Sequence, residues 1–181
     1  MLIFIAGVHG VGKGYLCSFA KEEFEVTHVS ASELIKNNSE LTFNSSKLTA
    51  TPDKNQLILL TALKELTAKK QNILLDGHFA LINKKGDVEA LKTEIYEKMS
   101  LDGVILIEES DELIRERVML RDKTQITYNL EKLIETERKN ATCITEKIKA
   151  PLIILKSPTK DEFFIALENL GMVKKHAHSK L

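Results

Sequence analysis

The hydrophobic positions fall into two rhythms. Residues 2–6, 73–75, 103–107 and 151–156 are short, nearly unbroken apolar runs, and a weaker run covers 26–29. Such runs lack the polar alternation of a sheet with one wet face, and they suit strands buried on both sides of a parallel sheet. Between them the apolar residues move to helical spacing. Residues 13–24 carry them at 16, 19, 20 and 24, and a short helix is expected from Ser32 to Asn37. Pro52-Asp53 opens a helix to about residue 70, with Leu57, Leu60, Leu63 and Leu66 as its apolar face. Further helices are predicted over 87–99, 110–121, 125–148 and 160–170. The long one carries a stripe at 126, 130, 133, 134, 141, 144 and 148. Residues 38–52 and the stretch NKKGD at 83–87 are polar and read as loops. Strands alternating with helices predict an α/β fold, a doubly wound five-stranded parallel sheet. The pattern supports one domain over 1–172 and a flexible tail over 173–181.

Where the first strand meets the first helix, residues 7–14 read G-V-H-G-V-G-K-G. This fits G-x-x-x-x-G-K through Lys13, the pattern of a phosphate-binding P-loop. Glycines let the backbone wrap an anion with its N–H groups inward, and the helix that follows turns its positive end to the same place. Gly7, His9, Gly10, Val11, Gly12, Lys13, Gly14 and Tyr15 are the candidate nucleotide-binding residues, with Lys13 reaching the β- and γ-phosphates. In open sheets of this kind ligands bind beyond the carboxyl ends of the strands. Asp76 and Glu108 stand at two such ends. Asp76 is expected to orient Mg²⁺ through water; capping of the next turn is the alternative reading. Glu108 is expected as a second acid beside the crevice, or as a support for the loop.

Composition narrows the picture. The chain has 181 residues, 43% apolar, with formal net charge zero. That is enough for one core and gives no general attraction to nucleic acid or to an anionic membrane. No apolar run is long enough to span a bilayer. Cys17 and Cys143 make no disulfide framework and are expected to be buried, inert thiols in a cytoplasmic protein. The C-terminal Ser179-Lys180-Leu181 would be a peroxisomal address only in a eukaryote, and we read it as chance. Only four arginines occur: Arg115, Arg117, Arg121 and Arg138.

The loop and its surroundings resemble the adenylate kinase and nucleoside monophosphate kinase family, whose P-loop commonly runs G-x-P-G-x-G-K-G-T. Gly14 agrees with that pattern. His9 stands where proline is usual and Tyr15 where Thr is usual; Tyr15 either replaces that hydroxyl or packs. "LLDGH" resembles the third strand of the family. Its Asp-x-His is closest to archaeal-type adenylate kinases and the eukaryotic nuclear adenylate kinase relatives. "HVSASELIK", "DGVILIEESDELIRERVMLRD" and "LIETERKNA" resemble other family segments in order.

The resemblance implies a nucleotide kinase-like fold with an acceptor-binding insert at about 30–70 and a short lid at about 121–126. It implies transfer of phosphate from ATP with Mg²⁺ to a small acceptor, an adenylate-like nucleoside monophosphate kinase. Lys13, Asp76, Arg117 and Arg121 would carry catalysis, the two arginines clamping phosphates from one helical face. The other reading of that face is a solvated one paired with Glu116 and Asp122. Ser30, Ser32, Lys36, His78 and Arg138 would bind the acceptor. His78 would position a water or a phosphate, or hydrogen-bond within its own turn. Residues 30–75 contain no arginine; Lys36 stands where the family often has arginine, and Lys47 and Lys54 are other cations there. Two alternatives stay open: an ATP-binding or slow ATPase module acting through a protein partner, and a kinase of a non-nucleotide small molecule.

Overall fold

A computed structural model describes residues 1–43, 52–69 and 71–175. Its centre is a five-stranded, all-parallel sheet in the order β2-β3-β1-β6-β7. The strands are β1 (Leu2–Ala6), β2 (Val26–Ser30), β3 (Asn72–Asp76), β6 (Gly103–Glu108) and β7 (Leu152–Lys156). Strand β1 is buried along its whole length, as its unbroken apolar run requires. From β1 the sheet grows outward through β3 to β2 on one side and through β6 to β7 on the other. The order reverses at the end of β1, and there the crevice opens.

Alternate residues of β1 feed two cores. Ile3 and Ile5 join the cluster with α1 (Lys13–Glu23), α5 (Asp111–Asp122) and α7 (Lys160–Asn169). Leu2, Phe4 and Ala6 join the cluster with α3 (Pro52–Ala68), α4 (Thr93–Met99) and the later turns of α6 (Leu130–Ile148). In the second core Phe79 stacks on Tyr96 at 4.7 Å, and Phe4 meets Phe79 edge-on at 5.1 Å.

Several elements depart from the expectation. Helix α2 (Ala31–Phe43) runs through residues 38–43, which read as a polar loop. It packs along α3, and such packing overrides the weak helix preference of Asn and Ser. Residues 44–51, with Lys47, lie outside the described residues. In α3 the buried face is Ile58, Leu59, Ala62 and Leu63, while Leu57 is 64% exposed. The expected 57/60/63/66 spacing has a period of three and slides off a helix face that turns every 3.6 residues.

The segment expected as helix from 87 begins as a hairpin, β4 (Ala80–Ile82) against β5 (Val88–Ala90). Asn83 Oδ1 accepts the N–H groups of Lys85 and Asp87, and Gly86 supplies φ +85°, so NKKGD is the hairpin turn. Helix α6 starts at Leu130 rather than 125, capped by Asn129, whose side chain accepts the Lys132 N–H. Cys143 is exposed, while Cys17 is buried as expected, its thiol pushed up by burial. Of the expected flexible tail, residues 173–175 are fastened. The Lys175 N–H donates to Glu23 O at 2.8 Å, and its ammonium donates to Lys21 O at 2.8 Å. Residues 176–181, including Ser-Lys-Leu, lie outside the described residues.

Candidate active site

The P-loop leaves β1 at Gly7 and enters α1 at Lys13. Gly7 sits at φ +140°, and a Cβ there would lie 2.4 Å from the Ile107 carbonyl oxygen of β6. Gly12, at φ +101°, is the left-handed N-cap of α1. Lys13 is 7% exposed and folds over its own loop. Its ammonium donates to Gly7 O at 2.6 Å and to Val8 O at 3.3 Å. Burial pushes its pKa below the ordinary lysine value, while Asp76 and Glu137 pull the other way.

Asp76 faces that lysine, with Oδ1 3.9 Å from Nζ. Its Oδ2 lies 3.4 Å from Nε2 of His28 on β2. Burial raises the Asp76 carboxyl, but the His28 ring and the Lys13 ammonium outweigh it and hold the acid below its usual range. His78, two residues on, is pushed down to about 3 by burial first and by Lys13 second. The imidazole is therefore neutral at physiological pH.

Glu137 of α6 holds these pieces together, although nothing in the family motifs singles it out. Its side chain is 2% exposed. Oε1 accepts the Gly7 N–H at 3.0 Å, and Oε2 accepts those of Phe79 and Ala80 at 2.7 and 2.6 Å. One carboxylate thus ties the phosphate loop to the turn that carries His78. Burial pushes Glu137 up to about 7, against the three N–H donors and Lys13. Asn140, one turn later, donates to Phe79 O and Leu91 O, and the Tyr96 hydroxyl donates to His78 O at 2.5 Å. The signal for Glu137 was in the sequence. It occupies a step of the 130/133/134/141/144 stripe where an apolar residue is expected. His28 had a comparable signal, an ionisable residue within a strand one turn of the pleat from Ser30.

Two cavities meet at Asp76. The first, about 780 Å³, is the phosphate crevice, and its cations are Lys13, Arg117 and Arg121. Arg117 Nη1 donates to Gly10 O and Val11 O at 3.3 and 3.0 Å, and Nη2 lies 3.4 Å from Glu109. Arg121 pairs with Asp122 at 2.7 Å and touches His9. Both arginines line the crevice with their charge turned onto the protein itself: Arg121 makes the Asp122 pair of the alternative reading, and Arg117 pairs with Glu109 rather than Glu116. Tyr15 is 64% exposed and meets Phe19 edge-on at 4.8 Å along α1, and it also lines the crevice. Gly14 borders the same space, where a Cβ would meet no atom within 4 Å.

The second cavity, about 290 Å³, lies between α2, α3, α4 and the Asp76–His78 turn. Ser30, Ser32, Asp76 and His78 line both. Lys36 and Arg138 line neither. Arg138, expected near the acceptor, grips Glu108 and borders β7 instead. Glu108 is 7% exposed and lies outside the crevice it was expected to flank. Among the described residues no cluster of three His, Cys, Asp or Glu side chains is placed to hold a metal ion. No helix there is long and apolar enough to cross a membrane.

Comparison with known proteins agrees with this geometry. The family model described as an AAA domain matches residues 6–134, more than half of the chain. No curated protein matches it. Among solved structures, shikimate kinase from Aquifex aeolicus vf5 superposes with a TM-score of 0.57 at 17% identity, covering 94% of this chain and 98% of that one. A gluconokinase from Sinorhizobium meliloti 1021 gives 0.54 at 15% identity, covering 93% and 90%. A sugar kinase from Janibacter sp. HTCC2649 gives 0.57 at 14%, covering 95% of each. At such identities the likeness is one of fold. The chain belongs to the AAA domain family, and its fold is that of the P-loop kinases.

Proposed function

We propose that this protein is an ATP-dependent small-molecule kinase. The observation that carries the reading is the wall that the two cavities share: Ser30, Ser32, Asp76 and His78 line both the cationic crevice built on the P-loop and the smaller chamber, and Asp76 is the one carboxylate among them. ATP phosphates in the crevice would lie against the loop amides, with Lys13 on the β- and γ-phosphates. Lys13 must then release Gly7 O and Val8 O, which occupy it here. Arg117 and Arg121 would turn from Glu109, the loop carbonyls and Asp122 toward the charge that develops on the transferring group.

The donor set fits Mg²⁺ arriving with ATP: Asp76 offers one carboxylate, and Gly14 leaves no hydroxyl ligand on the loop. Held there, the ion would supply neutralisation of phosphate charge during transfer. Glu137 keeps the loop and the Asp76–His78 turn at a fixed distance, which is what a reaction run by positioning requires.

The names of the structural neighbours, kinases of sugars and of shikimate, support a small-molecule acceptor. The narrower reading, a nucleoside monophosphate acceptor, draws on the Gly14 and Asp-Gly-His resemblance. ADP release from ATP and Mg²⁺, measured with and without acceptors and with product identification, tests the proposal. Transfer to an added small molecule is the expected result. ATP hydrolysis that no acceptor stimulates would instead favour a partner-dependent ATPase.

A further inference from the structure

We propose that the acceptor is an uncharged, largely apolar alcohol, bound in the cavity between α2, α3 and α4; this inference rests on the kinase reading above. The apolar walls of that cavity include Phe4, Ile35, Leu59, Ile95, Tyr96 and Met99. Among its described lining residues there is no lysine and no arginine, and the single carboxylate is Asp76. The remaining polar groups are Ser30 and Ser32, whose hydroxyls lie 2.8 Å apart, Asn55 and Gln56 of α3, and the His78 imidazole, which burial disfavours in its charged form. The Tyr96 hydroxyl is already engaged with His78 O.

A phosphate or carboxylate on the acceptor would lose its water in this space with no lysine or arginine among the described lining residues to replace it, and it would face Asp76. An alcohol meets no such penalty. Its carbon skeleton covers the apolar wall, and its hydroxyl is held by the serine pair or by the two α3 amides. The volume, about 290 Å³, is at the small end of ligand pockets and admits a compact ring compound. The phosphate crevice next door has the opposite character, so the two ligands are sorted by charge before either is recognised in detail.

The reaction balances with the groups at hand. The acceptor hydroxyl oxygen attacks the γ-phosphorus of ATP. The bond from that phosphorus to the β,γ-bridging oxygen breaks, and ADP leaves with its electron pair. The hydroxyl proton passes to a non-bridging oxygen of the transferred phosphoryl group and from there to water. The product is a phosphomonoester, and its new charge opposes its return to the apolar chamber.

The test uses the full chain and acceptors in matched pairs that differ in charge: adenosine with AMP, cytidine with CMP, benzyl alcohol with mandelate. Two quantities are measured, phosphomonoester formation from ATP and Mg²⁺, and binding to the ADP-loaded protein by saturation-transfer NMR. The neutral member of a pair is expected to bind or react at least about tenfold better. Nucleosides and benzyl alcohol distinguish the two sources of such an alcohol. Equal or better use of the anionic members would overturn the inference while leaving the kinase reading intact. Binding by no member of any pair overturns it as well. ATP hydrolysis with no phosphorylated product overturns the kinase reading, and this inference with it. Leu81→Arg, at a half-exposed cavity position, adds the missing cation and is expected to move the preference at least about tenfold toward the anionic member. Ile35→Arg repeats the test from α2. An unchanged preference in both folded variants would show that the acceptor binds elsewhere.

Discussion

The two cavities share a wall and differ in almost everything else. The phosphate crevice is open, and its three cations are held by protein oxygens: Lys13 by loop carbonyls, Arg117 by Gly10, Val11 and Glu109, Arg121 by Asp122. The neighbouring chamber is small and mostly apolar, and its described lining carries no cation. A site that will receive several negative charges keeps its positive charges neutralised until they arrive. A site that receives an uncharged group needs no such store. The difference teaches that the common wall, Asp76–Gly77–His78, is where charge and shape recognition meet, and that Glu137 sets its position.

The largest effect should come from the crevice side alone. Lys13→Ala removes the only point charge placed on the loop itself, and loss of one such transition-state contact costs about 100- to 1,000-fold in rate. Steady-state ADP release should fall by that factor. The neutral-acceptor binding seen by NMR should not change, because Lys13 does not line the second cavity. Equal loss in both measurements would break the separation of the two sites.

Glu137→Leu should injure both sites together. It leaves three backbone N–H groups, those of Gly7, Phe79 and Ala80, without their acceptor. Each buried unsatisfied donor costs about 1–3 kcal/mol, so a loss of about 3 kcal/mol or more is expected in chemical denaturation. Glu137→Gln keeps one carbonyl acceptor and should lose less. The titration of Glu137 gives a second handle. Its folded pKa, about 7, is above the ordinary carboxyl value of 4.5. Its contribution to stability is therefore full below pH 4.5 and is lost as pH rises toward 7. The stability difference between wild type and Glu137→Gln should shift against wild type across that window, and a constant difference would remove the buried-acid account.

His78 titrates with the opposite sign. Its folded pKa of about 3 is below the ordinary 6.5, so the unfolded chain takes up a proton that the folded chain refuses. Stability from this group is present above pH 6.5 and falls as pH drops toward 3. His78→Asn should flatten that acid limb in denaturation measured between pH 3 and 6.5, with a smaller effect at pH 7 than Glu137→Leu. An unchanged limb would mean the ring is not buried in its neutral form.

The parts of this arrangement were unequally legible in the sequence. The sheet was readable because its three inner strands, β3, β1 and β6, are buried on both faces, and an unbroken apolar run has few other uses. The P-loop was readable because glycine at positive φ and lysine at the mouth of a helix are constraints on single positions. Glu137 was harder, because its partners are backbone amides 58 and 130 residues away, and no local pattern encodes them. Its trace was a polar residue in an apolar stripe. The hairpin at 80–90 was missed although Asn83 and Gly86 are the residues such a turn demands. The buried face of α3 was misjudged because leucine spacing alone does not say which leucines point inward; packing against α2 and β3 decides that. Arg138 and Glu108 illustrate the remaining gap: charge in the right region of the sequence, committed in the fold to each other.

The smallest predicted effect bears on the crevice rim. Tyr15 stands where the resembling family carries Thr, and it was expected either to replace a hydroxyl or to pack. It is 64% exposed and touches Phe19 edge-on. An aromatic pair of this geometry contributes about 0.5–1.5 kcal/mol when buried, and exposure brings this one toward the lower end. Tyr15→Thr should therefore lower stability only slightly. The informative readout is the KM for ATP against the KM for the acceptor. If Tyr15 serves the crevice, through its hydroxyl or by stacking over a bound base, the KM for ATP rises and the acceptor KM stays. If it only packs on α1, neither moves beyond the small stability change. A change confined to the acceptor KM would contradict the division between the two cavities, since Tyr15 borders only the first.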